Sequence, residues 1–303
     1  LIVRKIRPVN LTKQQIQASR KQELRSMAQR RPQFIIFTYH KAGTSLFANL
    51  TEKLAASLGL RVAVHYGQVW HVDPHADIVR LPHGLLGLRL DRRFRAIRVI
   101  RDPRDIWVSG YLYHRHCREF WCVNTDFDPT APIGPPQVDF SFQHRPERWK
   151  RRYLQRLHGR SYQQNLLDRS LSDGLAFELE NFTSATLDAM RAWWLDDPAV
   201  LTVRLEDIVH DFDGMMLTIF RHWGATETEC AAALDVARTE DIGRMSDAAI
   251  GERPQIHGRT LSKWRTILSQ SQVAQFERLH GDLITALGYT LCNETMPRPV
   301  RSG

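Results

Sequence analysis

"FIIFTYHKAGTSLFANL", residues 34–50, decides the architecture. Phe34-Ile35-Ile36-Phe37 is a continuous apolar run of the kind a buried strand needs. A polar turn with Lys41, Gly43, Thr44 and Ser45 follows. The next residues predict a helix with Leu46, Phe47, Leu50 and Leu54 on one face, closed by Gly59. Strand, turn and helix start, in that order, put backbone N–H groups and the positive end of a helix dipole where an anion can sit. The nucleoside-triphosphate loop is spelled G-x-x-x-x-G-K-[ST], with lysine after the second glycine. Here Lys41 precedes Gly43, the one glycine of the turn, so the stretch predicts a phosphate loop of another kind.

The bulk properties set the frame. With 303 residues, 43% of them hydrophobic, the chain can bury a sizeable core. A formal net charge of +9 favours an anionic partner: a nucleotide, a nucleic acid, an acidic glycan or an anionic membrane surface. No apolar run approaches the length of a membrane span. Four scattered cysteines, Cys117, Cys122, Cys230 and Cys292, suit free thiols in a reducing compartment, which predicts a cytoplasmic location. The cluster "HRHCREFWC", 114–122, invites a zinc reading, but its spacing matches no common finger, and no metal is expected. Asn10, Asn49, Asn181 and Asn293 lie in N-x-[ST] sequons. A glycan on Asn49, one turn into the helix after the loop, would obstruct packing, and the sequons are read as coincidental.

Along the chain, residues 1–31 read as a basic helical arm, and 32–303 as a single α/β domain with a central parallel sheet flanked by helices. After the first strand and helix, 61–65 and 76–81 read as short strands. "RAIRVIRDPRDIWVSGYLYH" gives a second strand-to-helix junction, with Asp102 as N-cap and Pro103 at the first helical position. Such alternation places ligands at the carboxyl ends of the strands. Residues 120–150 are rich in proline, lack periodicity and read as a lid-like insert. Helical patterning returns over 162–195. A strand leading into a turn over 199–208, a helix closed by Gly224 and a final helix complete the reading.

In "RDPRDIWVSGY", Arg101 ends a strand and Ser109 lies about two turns into the next helix, roughly 10 Å along its axis. A guanidinium folding back along that helix can meet the serine hydroxyl on one phosphate. Taken together, "HKAGTSLF" and "RDPRDIWVSGY" resemble the sulfotransferases that use 3′-phosphoadenosine-5′-phosphosulfate (PAPS). The resemblance implies that Lys41, Ala42, Gly43, Thr44 and Ser45 hold the 5′-phosphosulfate. It implies that Arg101 and Ser109 hold the 3′-phosphate, with Arg259 as a further cation. "RLED", 204–207, and "HGRTLSKWRTILSQSQ", 257–272, extend the likeness. The sequence departs from the family at His40, where proline is usual, at Leu205, where tyrosine is usual, and at His257-Gly258-Arg259, where Arg-Lys-Gly is usual.

The implied reaction moves a sulfuryl group to an acceptor hydroxyl or amine, on a glycan, a glycolipid or a small alcohol. Adenosine 3′,5′-bisphosphate (PAP) is the product, and no metal is required. Lys41 is expected to act on the leaving phosphate oxygen. The family's usual base is a histidine whose place Arg80 takes, and an arginine cannot accept a proton at ordinary pH. His83 becomes the candidate base, with His65, His71 or a glutamate as rivals. A P-loop kinase is the enzymatic alternative, disfavoured by the absent G-x-x-x-x-G-K-[ST] loop and by the lack of a clear metal carboxylate; a basic nucleic-acid-binding module is the non-enzymatic one and leaves the two phosphate stretches unexplained.

Overall fold

A computed structural model describes residues 32–83, 85–87, 90, 93–123, 155, 157–253, 255, 256 and 258–292. The expected arm, residues 124–150 of the expected insert, Asn10, Asn293 and His257 lie outside the described residues. The strands are β1 Gln33–Thr38, β2 Val62–Val64, β3 Gln68–Val69, β4 Ile78–Pro82, β5 Leu85–Leu86, β6 Phe94–Ile100 and β7 Val200–Arg204. Five of them form a parallel sheet in the order β2-β4-β1-β6-β7. β3 and β5 pair as a separate two-stranded parallel sheet that the sequence reading did not anticipate. Strands of two residues are too short to carry a periodicity.

The helices are α1 Thr44–Leu58, α2 Pro103–His114, α3 Phe120–Val123, α4 Tyr162–Leu167, α5 Leu171–Glu178 and α6 Ser184–Arg191. They continue with α7 Leu205–His210, α8 Phe212–Trp223, α9 Glu227–Ala237, α10 Asp247–Gly251, α11 Trp264–Ile267 and α12 Gln270–Ala286. A π-helical turn, Leu179–Thr183, joins α5 to α6. Among the described residues, no helix is long and apolar enough to cross a membrane.

β1 is buried along its whole length because the sheet is covered on both faces. Phe34 and Ile36 face the layer built by α1 and α8, where Phe34 stacks on Trp223 at 4.9 Å. Ile35 and Phe37 face the other way, onto Val79, Leu81 and Ala96. The apolar stripe of α1 is Phe47, Leu50, Leu54 and Leu58, all buried; each contributes about 1.5–3 kcal/mol by leaving water. Gly59 ends α1 at φ 67°, donating its N–H to Ala55. A third cluster joins α2 to α5, α6 and α12, where Trp107 stacks on Phe276 at 5.1 Å and donates to the Leu175 carbonyl at 2.7 Å. The central position of β1, with β4 on one side and β6 on the other, makes its carboxyl end the switch point of the sheet.

Candidate functional site

Beyond Thr38 the chain turns through Tyr39–Gly43 before entering α1. Lys41 and Gly43 both take left-handed backbone conformations, at φ 58° and 81°. Gly43 is required there: a Cβ would meet the Val99 side chain at 3.4 Å, on a backbone that L side chains rarely adopt. α1 has no side-chain cap and no acidic residue in its first turn, so its leading N–H groups are left for an outside acceptor. The Thr44 hydroxyl bonds to the Tyr39 carbonyl at 3.0 Å and fixes the turn. Ala42 is wholly buried, donates its N–H to the Tyr39 carbonyl at 3.0 Å and, unlike its neighbours in the turn, does not line the cleft described next.

The neighbouring wall comes from the β6–α2 junction. Asp102 caps α2 through its side chain, with Pro103 at the first helical position, as the sequence predicts. Arg101 donates to the Lys41 carbonyl at 3.0 Å and lies 3.6 Å from Asp105. Its Nε and the Ser109 Oγ are buried without a hydrogen-bond partner. Asp105 also accepts the backbone N–H groups of Ser262 and Trp264, at 2.8 and 3.1 Å. That tie brings Lys263 and Arg259 to the same place.

These elements enclose a cleft of about 440 Å³. Of the residues anticipated from sequence, Lys41, Gly43, Thr44 and Ser45 line it from the loop. Arg101, Ser109, His83 and Arg259 line it from the other walls. Leu205, Ile208, Phe212 and Ile242 make part of its apolar lining. The rivals His65 and His71 do not line it; they face each other at 6.2 Å. Arg80 pairs with Glu52 at 3.2 Å. Arg259 is held at the rim by Asp247 at 2.6 Å and by the Ile242 carbonyl at 3.1 Å. An exposed pair of that kind is worth at most about 1 kcal/mol, so a phosphate can compete for the guanidinium.

Crowded cations shape the electrostatics. Burial, then Arg101 and Lys263, pull the Lys41 ammonium down to about 7. Its Nζ donates to the Gln255 carbonyl at 2.9 Å and sits 4.1 Å from the centre of the Tyr113 ring. Burial and Arg101 lower Lys263 as well. A cleft that depresses its own lysines is primed for an anion, whose charge would restore them. Sequence reasoning missed Lys263, which stands beside Trp264 in the quoted C-terminal stretch, and Glu119, which lies inside the histidine–cysteine cluster.

That cluster is taken apart by the fold. His114 faces Glu178 at 2.8 Å in the core, Cys117 and Cys122 are buried, and His116 is exposed. Among the described residues, no group of three or more His, Cys, Asp or Glu side chains is placed to hold a metal ion. The Asn49 amide donates to Glu240 at 3.0 Å while lining the cleft, and Asn181 donates to the Phe177 carbonyl.

His83 sits just past β4, pinned by its N–H to the Thr38 carbonyl at 2.8 Å and left-handed at φ 59°. Its Nδ1 has no hydrogen-bond partner, and burial pulls the imidazole from 6.5 down to about 3. Between those values the unfolded chain binds a proton there and the folded chain does not. Stability is therefore complete above pH 6.5 and lost as the pH falls toward 3. At pH 5 the loss is about 2 kcal/mol. His83→Gln should flatten the fall in melting temperature between pH 7 and pH 5 by the equivalent of that loss, about 3 °C. Parallel pH slopes for the two proteins would show that His83 is not the source.

No family model and no curated protein matches the chain. Among solved structures, the chain is similar to mouse sulfotransferase SULT7A1 complexed with PAP, at 15% identity over 88% of each chain, with a TM-score of 0.45. A likeness of that degree assigns neither a function nor a site.

Proposed function

We propose that this cleft binds PAPS and transfers its sulfuryl group to an acceptor hydroxyl or amine. Residues 32–303 form the transferase unit in this reading. One observation carries it: two separate anion stations share a single cleft. The first is the uncapped start of α1 with Lys41. The second is Arg101 with Ser109, whose buried Nε and Oγ lack partners. A donor with charge at both its 5′ and 3′ positions would satisfy both stations. A nucleoside triphosphate, with all its charge at the 5′ end, would leave the second unfilled.

In this reading the N–H groups of the loop hold the 5′-phosphate, and Lys41 neutralises the negative charge that grows on the bridging oxygen as the S–O bond breaks. Arg101, Ser109 and a released Arg259 hold the 3′-phosphate, and Lys263 adds charge between the stations. The apolar wall at Leu205 and Phe212 suits the base.

The test is a thermal-shift panel. PAP should raise the melting temperature well beyond AMP, ADP or ATP, because each charge-assisted bond to the 3′-phosphate adds about 1.5–3 kcal/mol. Arg101→Ala should erase the preference and leave the unliganded protein folded. Equal stabilisation by ATP would sink the reading and favour a kinase.

A further inference from the structure

Asp105 stands where an anion site would do better without it. Its carboxylate is fully buried in the first turn of α2 and lies 3.6 Å from the Arg101 guanidinium. A negative charge there opposes any phosphate at the Arg101 station. Its other partners come from far along the chain: the backbone N–H groups of Ser262 and Trp264, 157 and 159 residues away. This clamp acts on a segment that resists its own shape. Ser262 is left-handed at φ 57°, a conformation that residues other than glycine rarely adopt and that persists where surrounding contacts enforce it. Asp105 supplies one such contact through the Ser262 N–H at 2.8 Å. Trp264 supplies another, its ring buried against the Arg104 guanidinium at 4.0 Å. With 262 tied and 264 buried, Lys263 between them is left half-buried on the wall of the cleft. Arg101 lowers its ammonium and Asp105 offsets part of that, so the three charges share one neighbourhood.

We propose that Asp105 is a positioning residue for the donor: it sets the backbone at 262–264 so that Lys263 meets the donor's phosphate beside Arg101. The proposal rests on the sulfuryl-transfer reading above. Asp105 does not itself line the cleft, so it acts through Lys263 rather than on the donor. The carboxylate weakens the pull of Arg101 on an anion, and the cation that it holds in the cleft outweighs that loss. The strained backbone at Ser262 is what this placement of the lysine requires.

The experiment is titration calorimetry of PAP against the full chain. Lys263→Met should weaken PAP about 10–100-fold, the usual effect of losing one charge-assisted bond, and Lys263→Arg should recover most of that affinity. Asp105→Asn should weaken PAP by a similar factor, although loss of a negative charge beside the site would by itself tighten it. The double variant carrying Asp105→Asn and Lys263→Met should bind within about threefold of Lys263→Met alone, because one change acts through the other. Ser262→Pro deletes one clamped N–H and cannot adopt a φ of 57°, so it should reproduce the loss with the carboxylate intact. Unchanged or tighter binding by Asp105→Asn, or losses that multiply in the double variant, would overturn the proposal. So would a Lys263→Met that binds like wild type. Should Asp105→Asn not fold, Ser262→Pro decides: wild-type affinity there overturns the proposal. A wild type that does not bind PAP overturns the transfer reading as well, an outcome visible before any variant is made.

Discussion

Lys41→Ala is expected to cut turnover by about 10²–10³-fold, the usual cost of deleting one group aimed at developing charge. The lysine's Nζ already lies inside the cleft, bonded to the Gln255 carbonyl, and burial beside Arg101 and Lys263 holds it near 7. An arriving phosphosulfate would restore its charge where the leaving oxygen becomes an anion. Donor affinity should fall much less than kcat, because Arg101, Ser109 and the α1 N–H groups remain. The melting temperature of the unliganded variant should not drop, since alanine removes a partly buried cation. EDTA should leave wild-type turnover unchanged if the lysine supplies the positive charge. Loss of turnover in EDTA, restored by Mg²⁺, would transfer that role to a metal and revive the kinase alternative.

Arg104→Met should be the most damaging change away from the cleft. Arg104 is 2% exposed, bonds Asp102 through Nε at 3.0 Å and Nη2 at 2.8 Å, and reaches Glu277 with Nη1 at 2.5 Å. It also donates to the Thr290 carbonyl and lies 4.0 Å from the Trp264 ring. Methionine would fill much of the volume but leave two carboxylates buried without their cation, at a cost of about 3–5 kcal/mol. In a chain of this size that is a fall of about 5–8 °C in melting temperature. Adding Glu277→Gln should recover part of the loss, because one stranded charge is then gone. A fall below about 2 °C would mean that water reaches the pair and screens it. The network joins the start of α2 to α12, so the variant should also blunt stabilisation by PAP.

Much of this fold can be read from the sequence because its main junctions are written locally. The run at 33–38, the stripe of α1 and Gly59 define the first strand and helix. Asp102, Pro103 and the strand before them define the second junction, and Gly224 marks the end of α8. The lining of the candidate cleft is legible in part for the same reason. Lys41, Gly43, Thr44, Ser45, Arg101 and Ser109 belong to strand-end motifs, and parallel strands carry such ends to one edge.

What stayed hidden depends on contacts distant in sequence. Lys263 reaches the cleft because Asp105 holds the backbone at 262 and 264. Glu119 reads as one charge in a cluster rich in histidine and cysteine until Tyr113 and Trp121 fix its direction. His114 and Glu178 sit 64 residues apart, and only the packing of α2 against α5 makes them a buried pair. Arg259 keeps its place at the rim through Asp247, a partner that its own motif does not specify.

The left-handed backbones at Lys41 and His83 have a consequence for anyone wishing to make this chain hardier. Each combines a conformation that side chains resist, costing about 1–3 kcal/mol, with a titratable group denied water. Glycine at either position would relax the backbone and remove the buried group, so a screen that rewards heat resistance alone would be drawn to both. In the transferase reading both positions line the cleft that would hold the donor, so glycine there would trade its lining for stability. A stabilisation campaign should therefore hold positions 41 and 83 fixed and seek its gains in the helices that back the sheet.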